Sequence, residues 1–187
     1  MKGIDISEAQ SSIDWQAVKD AGYQFVIVRA GYGQGHEDSM FRQYVQEAHD
    51  NGMIVGTYWF SYALDADQAR QEGEYCRQII DSAGMSLELP VFYDQEESSY
   101  RTQNEWDKDN ATAMCDEFID ACGLDCGVYA NYDWFTTVLD YDYLRSKYKI
   151  WLSQMNSQAD LDCDIWQDTI DCTYIGGQPL DTNVMEG

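Results

Sequence analysis

Basic residues are scarce in this chain: 11 lysines and arginines stand against 34 aspartates and glutamates, a formal net charge of −23 over 187 residues. So little positive charge cannot displace counterions from phosphates, which excludes nucleic acid as a partner and disfavours docking on an anionic membrane. No apolar run approaches the ~20 residues of a membrane span, so membrane insertion is not expected. There is no Pro- or Ser-rich linker, no low-complexity tract and no internal repeat. One domain over residues 1–187 is therefore expected, long enough to bury a full core. The chain passes directly from Met1-Lys2-Gly3 into Ile4-Asp5-Ile6, without the pattern of a signal peptide.

Metal-binding spacings are also missing. Cys76, Cys115, Cys122, Cys126, Cys163 and Cys172 form no CxxC, and the two histidines, His36 and His49, lie far from them in sequence. Zinc is not expected. A chain of this length does not need disulfide staples, so buried reduced thiols are expected. Cys115 and Cys122 share a helix face but are two turns apart, too far for a bond. Cys163 with Cys172 is the one pairing to check.

What is present is an alternation of strand-like and helix-like segments. Lys2–Ile6 reads as a strand, Trp15–Ala21 as a helix capped by Ser12 or Asp14, and Phe25–Val28 as a buried β-branched strand. Further helices are expected from Asp38 to Asn51, Ala66 to Ala83, Glu105 to Cys122 and Tyr132 to Leu139. Strands are expected at Met53–Phe60, Leu89–Asp94 and Gly127–Ala130, then at Lys149–Ser153, Asp164–Gln167 and Tyr174–Leu180 with no helices between them. About five βα units followed by three strands lacking full helices predict an α/β fold. It is an irregular TIM-like barrel of parallel strands with an incomplete helical coat.

In such barrels chemistry gathers at the C-terminal strand ends. Those ends carry Asp5, Arg29, Tyr58, Phe60, Tyr62, Asp94, Glu96, Tyr129, Asn131, Trp151, Gln154, Trp166, Gln167, Asp181 and Asn183. Carboxylates surrounded by aromatics suit a sugar, whose C–H faces stack on rings while its hydroxyls bond to carboxylates and amides. The stretch from Leu89 to Glu97 concentrates this chemistry. Pro90 suits a strand start, and Val91-Phe92-Tyr93 is the apolar run of a buried parallel strand. Asp94 and Glu96 then point to the same side with Cα atoms roughly 6.6 Å apart. Like charges at that spacing push one pKa up, and two acids with separated pKa values are the equipment for glycosidic bond hydrolysis. The same pattern also fits a solvated acidic strand exit.

Taken in order, several segments resemble glycoside hydrolase family 25, the Chalaropsis-type lysozymes or N-acetylmuramidases. They are Gly3-Ile4-Asp5-Ile6-Ser7, Ile13-Asp14-Trp15-Gln16-Ala17-Val18-Lys19 with Gly22, and Phe25 to Gly33. Gly56 to Ala63, Asp94-Gln95-Glu96, Gly127 to Asn131, Trp166-Gln167 and Leu180 to Val184 continue the likeness over nearly the whole chain. The resemblance implies a catalytic set of Asp5, Asp94, Glu96 and Asp181 acting on peptidoglycan glycan strands with retention. Glu96 would be the general acid and base. Asp94 would either orient the substrate's 2-acetamido group or stabilise or attack the anomeric carbon, and strand spacing is compatible with both. Asp5 and Asp181 would raise the pKa of Glu96 and hold the pair in place.

The remaining strand-end residues, Arg29, Tyr58, Phe60, Tyr62, Tyr129, Asn131, Trp151, Gln154, Trp166, Gln167 and Asn183, are expected to line the sugar groove. Arg29 fits a buried ion pair equally well, and Tyr62 and Tyr129 fit core packing equally well. No metal or cofactor is expected. A monomer is expected, acting at the bacterial cell wall as a secreted or phage-encoded and released protein. Trp59 stands where many members carry histidine, and is expected to close the groove. No wall-binding repeat follows Val184. Two other readings use the same residues: a hydrolase that binds Mg²⁺ or Ca²⁺ through the acidic cluster, and a wall-binding barrel without catalysis.

Overall fold

Phe25, Val26, Ile27 and Val28 are all fully buried, as a strand must be when helices cover one face and a barrel interior the other. The computed structural model describes residues 1–97 and 107–185, with only the backbone of Asp171 and Cys172. Nine strands are described: β1 (Lys2–Ile6), β2 (Phe25–Tyr32), β3 (His36–Glu37), β4 (Ile54–Phe60), β5 (Val91–Asp94), β6 (Cys126–Asn131), β7 (Lys149–Ser153), β8 (Ile165–Ile175) and β9 (Gln178–Met185). The helices are α1 (Trp15–Asp20), α2 (Phe41–Asp50), α3 (Ala66–Ala83), α4 (Lys108–Cys122), α5 (Tyr132–Thr137) and α6 (Tyr141–Lys147).

Strands β1, β2, β4, β5, β6, β7 and β8 follow one another in parallel around the sheet. β9 closes it, antiparallel to both β8 and β1, while the short β3 pairs with the end of β2. The result is a closed eight-stranded mixed barrel. Its lower interior is plugged by Phe25, Ile27, Phe92, Tyr129, Trp151 and Ile165. The larger apolar core lies between the barrel and its helices, with Ile4, Val26, Val28, Trp59, Tyr93, Phe118 and Trp134 among its members.

Local chemistry fixes the helix ends. Asp14, Asp65, Asp107 and Asp140 cap α1, α3, α4 and α6 by accepting from backbone amides, which satisfies N–H groups that lack intrahelical partners. Gly84 and Gly123 end α3 and α4 in the left-handed conformation. At Gly31 a methyl group would run into the His36 carbonyl oxygen and lie 2.5 Å from the Trp59 ring, so only glycine lets β3 and Trp59 approach β2.

Three expectations are corrected. A helix does follow α5: α6 is short and buries only Leu144, too little apolar periodicity to read from sequence. The segment Tyr174–Leu180 is not one strand, because Gly176 and Gly177 at φ 61° and 88° turn the chain back into a hairpin between β8 and β9. That hairpin makes the last strand antiparallel, so the barrel is mixed rather than parallel. The expected helix start at Glu105 lies outside the described residues.

Cys76, Cys122 and Cys126 are buried free thiols, Cys115 is buried with its Sγ 3.7 Å from the Ala111 carbonyl oxygen, and Cys163 is half-buried. The Cys163–Cys172 pairing depends on a side chain outside the described residues.

Candidate active site

Alternation along each strand decides which side chains enter the barrel. On β1, Ile4 and Ile6 pack outward into the core, leaving Asp5 to point inward. Asp5 lies opposite Asp181 of β9 in the antiparallel register. On β5, Val91 and Tyr93 face outward, so Phe92 and Asp94 face inward. Asp94 lies level with Phe60 of β4 and Tyr129 of β6. It is buried, Glu96 just beyond the strand end is half-buried, and Glu97 is exposed.

A continuous hydrogen-bond chain supports Asp5. Gln167 donates from Nε2 to Asp5 Oδ2 at 3.0 Å, and Asn183 donates from Nδ2 to the same oxygen at 2.7 Å. Tyr129 donates its hydroxyl to Gln167 Oε1 at 2.9 Å, and the Trp151 indole N–H donates to Asn183 Oδ1 at 2.8 Å. Each amide is thereby held in one orientation, its oxygen accepting from the aromatic floor and its nitrogen aimed at the carboxylate.

The electrostatics follow from crowding acids at the mouth of an apolar barrel. Burial, followed by repulsion from Asp181, pushes Asp5 up to about 7, against the lowering pull of Asn183 and Gln167; Glu96 adds a smaller upward push. Burial likewise pushes the Tyr129 hydroxyl well up, helped by Glu96, Asp94 and Asp5. Tyr58 is raised by burial and then by Asp5, with Asp94 also contributing. Asp5 thus feels Asp181 and Glu96, and Tyr129 feels Glu96, Asp94 and Asp5, so the four carboxylates expected from sequence lie near one another at this end of the barrel. Among the described residues, no group of three or more Asp, Glu, His or Cys is disposed to hold a metal ion.

The other expected groove residues divide into sets. Tyr129, Trp151, Gln167 and Asn183 form the buried floor, with Trp151 packed 4.5 Å from Tyr129 and 5.3 Å from Phe92 between ring centroids. Tyr58 meets Trp151 edge to face at 5.9 Å. Half-buried Phe60 and Tyr62 stand at the rim, edge to face at 5.4 Å, and Tyr62 also meets Tyr32 at 6.0 Å. Asn131 spends its side-chain oxygen on the Trp134 amide as the cap of α5. Gln154 binds both the backbone and the carboxylate of Asp160, closing its own loop.

Two expectations about groove residues do not hold. Trp166 lies between the inward-facing Ile165 and Gln167, so it turns outward, donating its indole N–H to the Gln154 carbonyl at 2.8 Å. It lines a cavity with Leu161, Cys163 and Val184 on the outside of the barrel. Trp59, expected to close the groove, is fully buried in the layer between barrel and helices.

Arg29 is locked beneath the mouth by Asp38 at 2.8 Å and Glu8 at 3.1 Å. Asp38 also accepts from the Glu8 and Met40 amides, so it ties the loop after β1 to the end of β2. Sequence reading took Asp38 for the start of a helix and gave Glu8 no role, since nothing in their spacing connects residues thirty apart. It also passed over Ser153, which hydrogen-bonds Tyr129 and whose place at the end of β7 was the available signal.

A family model described as glycosyl hydrolases family 25 matches residues 4–173. Among curated proteins, the chain is 27% identical over 190 residues to an autolytic lysozyme of Clostridium acetobutylicum, covering all of this chain and 52% of that protein. The fold superposes on the modular autolysin LytC of Streptococcus pneumoniae, solved with a synthetic peptidoglycan ligand, with a TM-score of 0.85 and 24% identity. That match covers 97% of this chain and 46% of LytC, so the chain spans about half the length of both relatives. A muramidase from Trichobolus zukalii matches at a TM-score of 0.82 and 21% identity, over 100% of this chain and 94% of that one.

Proposed function

The chain belongs to glycosyl hydrolases family 25, and from that premise we propose that it is a peptidoglycan muramidase. Its bond would be the β-1,4 link from N-acetylmuramic acid to N-acetylglucosamine. The observation that carries this reading is the convergence of Asp5, Asp94, Glu96 and Asp181 over an aromatic floor, with Asp5 pushed up to about 7.

Half-buried Glu96 lies at the open end of the strand, where a glycosidic oxygen would arrive. It protonates that oxygen as the bond breaks and later takes a proton from water. Asp94, buried one pleat deeper, lies beneath the sugar and stabilises the developing positive charge, through the substrate's acetamido group or at the anomeric carbon itself. Both routes retain configuration. Asp181, and Asp5 once it ionises near pH 7, place negative potential behind the pair, and the amides of Gln167 and Asn183 hold Asp5 in position. Phe60, Tyr62 and Tyr58 offer ring faces and a hydroxyl to the glycan. The protein is expected to act on the bacterial cell wall as a monomer, and the autolytic and autolysin relatives support that setting.

The net charge of −23 gives a first test. Gram-positive walls carry anionic polymers that repel so negative an enzyme, and moderate salt shortens that repulsion to ~8–10 Å. Release of reducing ends from intact walls should rise several-fold between low and physiological salt, by analogy with other charge-steered encounters. Release from a soluble uncharged chitin-like oligomer should change much less. Equal salt dependence on both substrates contradicts the electrostatic part. An absence of reducing ends at every salt concentration contradicts the hydrolase reading.

A further inference from the structure

Glu72 is fully buried in the middle of α3, on the outer side of the barrel and away from the carboxylates that face the sugar. A buried carboxylate persists only where donors compensate its lost hydration, so its partners indicate its role. One oxygen accepts the Tyr62 backbone N–H at 2.9 Å. The other accepts the Tyr93 hydroxyl at 3.4 Å, and that hydroxyl lies 2.7 Å from Ser61 Oγ. Ser61 Oγ in turn accepts the Ala63 amide at 3.2 Å.

These contacts hold two strand ends at once. Tyr93 immediately precedes Asp94 on β5, and its ring is stacked 4.2 Å from Phe118 of α4, so its hydroxyl has a fixed position. The Ser61 backbone N–H donates to the Asp94 carbonyl oxygen at 3.1 Å. Residues 61–63 therefore join Glu72 on one side to the backbone of Asp94 on the other. The same loop carries Tyr62, whose ring forms the groove rim against Phe60 and Tyr32.

We infer that Glu72 is a positioning residue for the reaction, setting from the helix layer both the backbone of Asp94 and the placement of Tyr62. This rests on the muramidase reading for its kinetic consequence, though not for its structural one. Misplacement of reacting groups by about 1 Å is enough to cost ~100-fold in rate, and the loop contacts set positions on that scale. Glutamine at this position keeps an acceptor for the Tyr62 amide, whereas leucine keeps none.

The test compares the parent, Glu72→Gln, Glu72→Leu and Tyr93→Phe, each assayed well below its unfolding temperature with activity expressed per folded molecule. Glu72→Leu is expected to lower kcat on peptidoglycan by about 10–100-fold with a few-fold rise in KM, and Glu72→Gln to recover most of it. Tyr93→Phe should lower kcat, because it removes the hydroxyl that joins Glu72 to Ser61 beside Asp94. It should raise KM less than Glu72→Leu, because the Tyr62 amide keeps its bond to Glu72. Amide hydrogen exchange supplies a readout independent of turnover: Glu72→Leu should speed exchange at residues 61–63, and Glu72→Gln should do so far less.

A merely structural residue would lower the unfolding temperature while leaving kcat per folded molecule and local exchange at parental values, and that result overturns the inference. Should Glu72→Leu fail to fold, parental kcat and exchange in Tyr93→Phe would overturn it equally. A parent that cleaves no peptidoglycan removes the muramidase reading instead, and exchange alone then decides the placement of residues 61–63.

Discussion

Glu96→Gln is expected to lower hydrolysis of peptidoglycan by about 10²–10⁴-fold, the usual worth of a positioned general acid and base. Glutamine preserves the size of the side chain at a half-buried position, so folding should be unaffected and the unfolding temperature should stay within a degree or two of the parent's. KM should change little, because the lost interaction is made in the transition state. An aryl glycoside with a good leaving group should suffer a smaller loss in the bond-breaking step, since such a leaving group needs less protonation. The mutation also removes a repulsive neighbour of Asp5, and so should ease the release of its proton. Retention of a tenth or more of parental activity on peptidoglycan would move the acid role to another residue.

Asp5→Asn is expected to separate stability from function. Folded Asp5 keeps its proton up to about pH 7, whereas an ordinary aspartate releases it near 3.8. Between those values folding takes up a proton, so Asp5 makes no unfavourable contribution at low pH. Its contribution becomes increasingly destabilising as pH rises towards 7, and is constant above that. About three units correspond to a penalty of about 4 kcal/mol at pH 8, or roughly 8–16 °C in unfolding temperature for a domain of this size. Asparagine carries no charge and still presents an oxygen to the Gln167 and Asn183 amides. The variant should therefore unfold at a higher temperature than the parent at pH 8, match it near pH 4, and lose about 10–100-fold in activity at pH 8, where ionised Asp5 adds to the potential behind Glu96. Thermal unfolding at both pH values checks this. A variant no more stable at pH 8 would mean that Asp5 is ionised and compensated in the folded protein.

Much of this site was legible in the sequence because strand alternation is strict. Once β1 and β5 are identified, Asp5 and Asp94 must share the interior, and helix α3 spans the expected Ala66–Ala83, its ends set in the structure by the Asp65 cap and the Gly84 stop. Trp166 was misread for the same reason in reverse: its neighbours Ile165 and Gln167 own the interior face, and strand-end position alone says nothing about parity. The antiparallel closure was hidden because Gly176-Gly177 sits inside a run that reads as strand. Glu72 and the clamp of Glu8 and Asp38 on Arg29 were not readable at all, since their partners meet only through tertiary packing.

The central claim is the bond that is broken. Purified peptidoglycan digested by the parent, reduced with borohydride and hydrolysed, should yield muramitol as the new terminal sugar by mass spectrometry, and Glu96→Gln should yield almost none. Glucosaminitol in its place, or no new reduced sugar from a folded parent, would contradict the account.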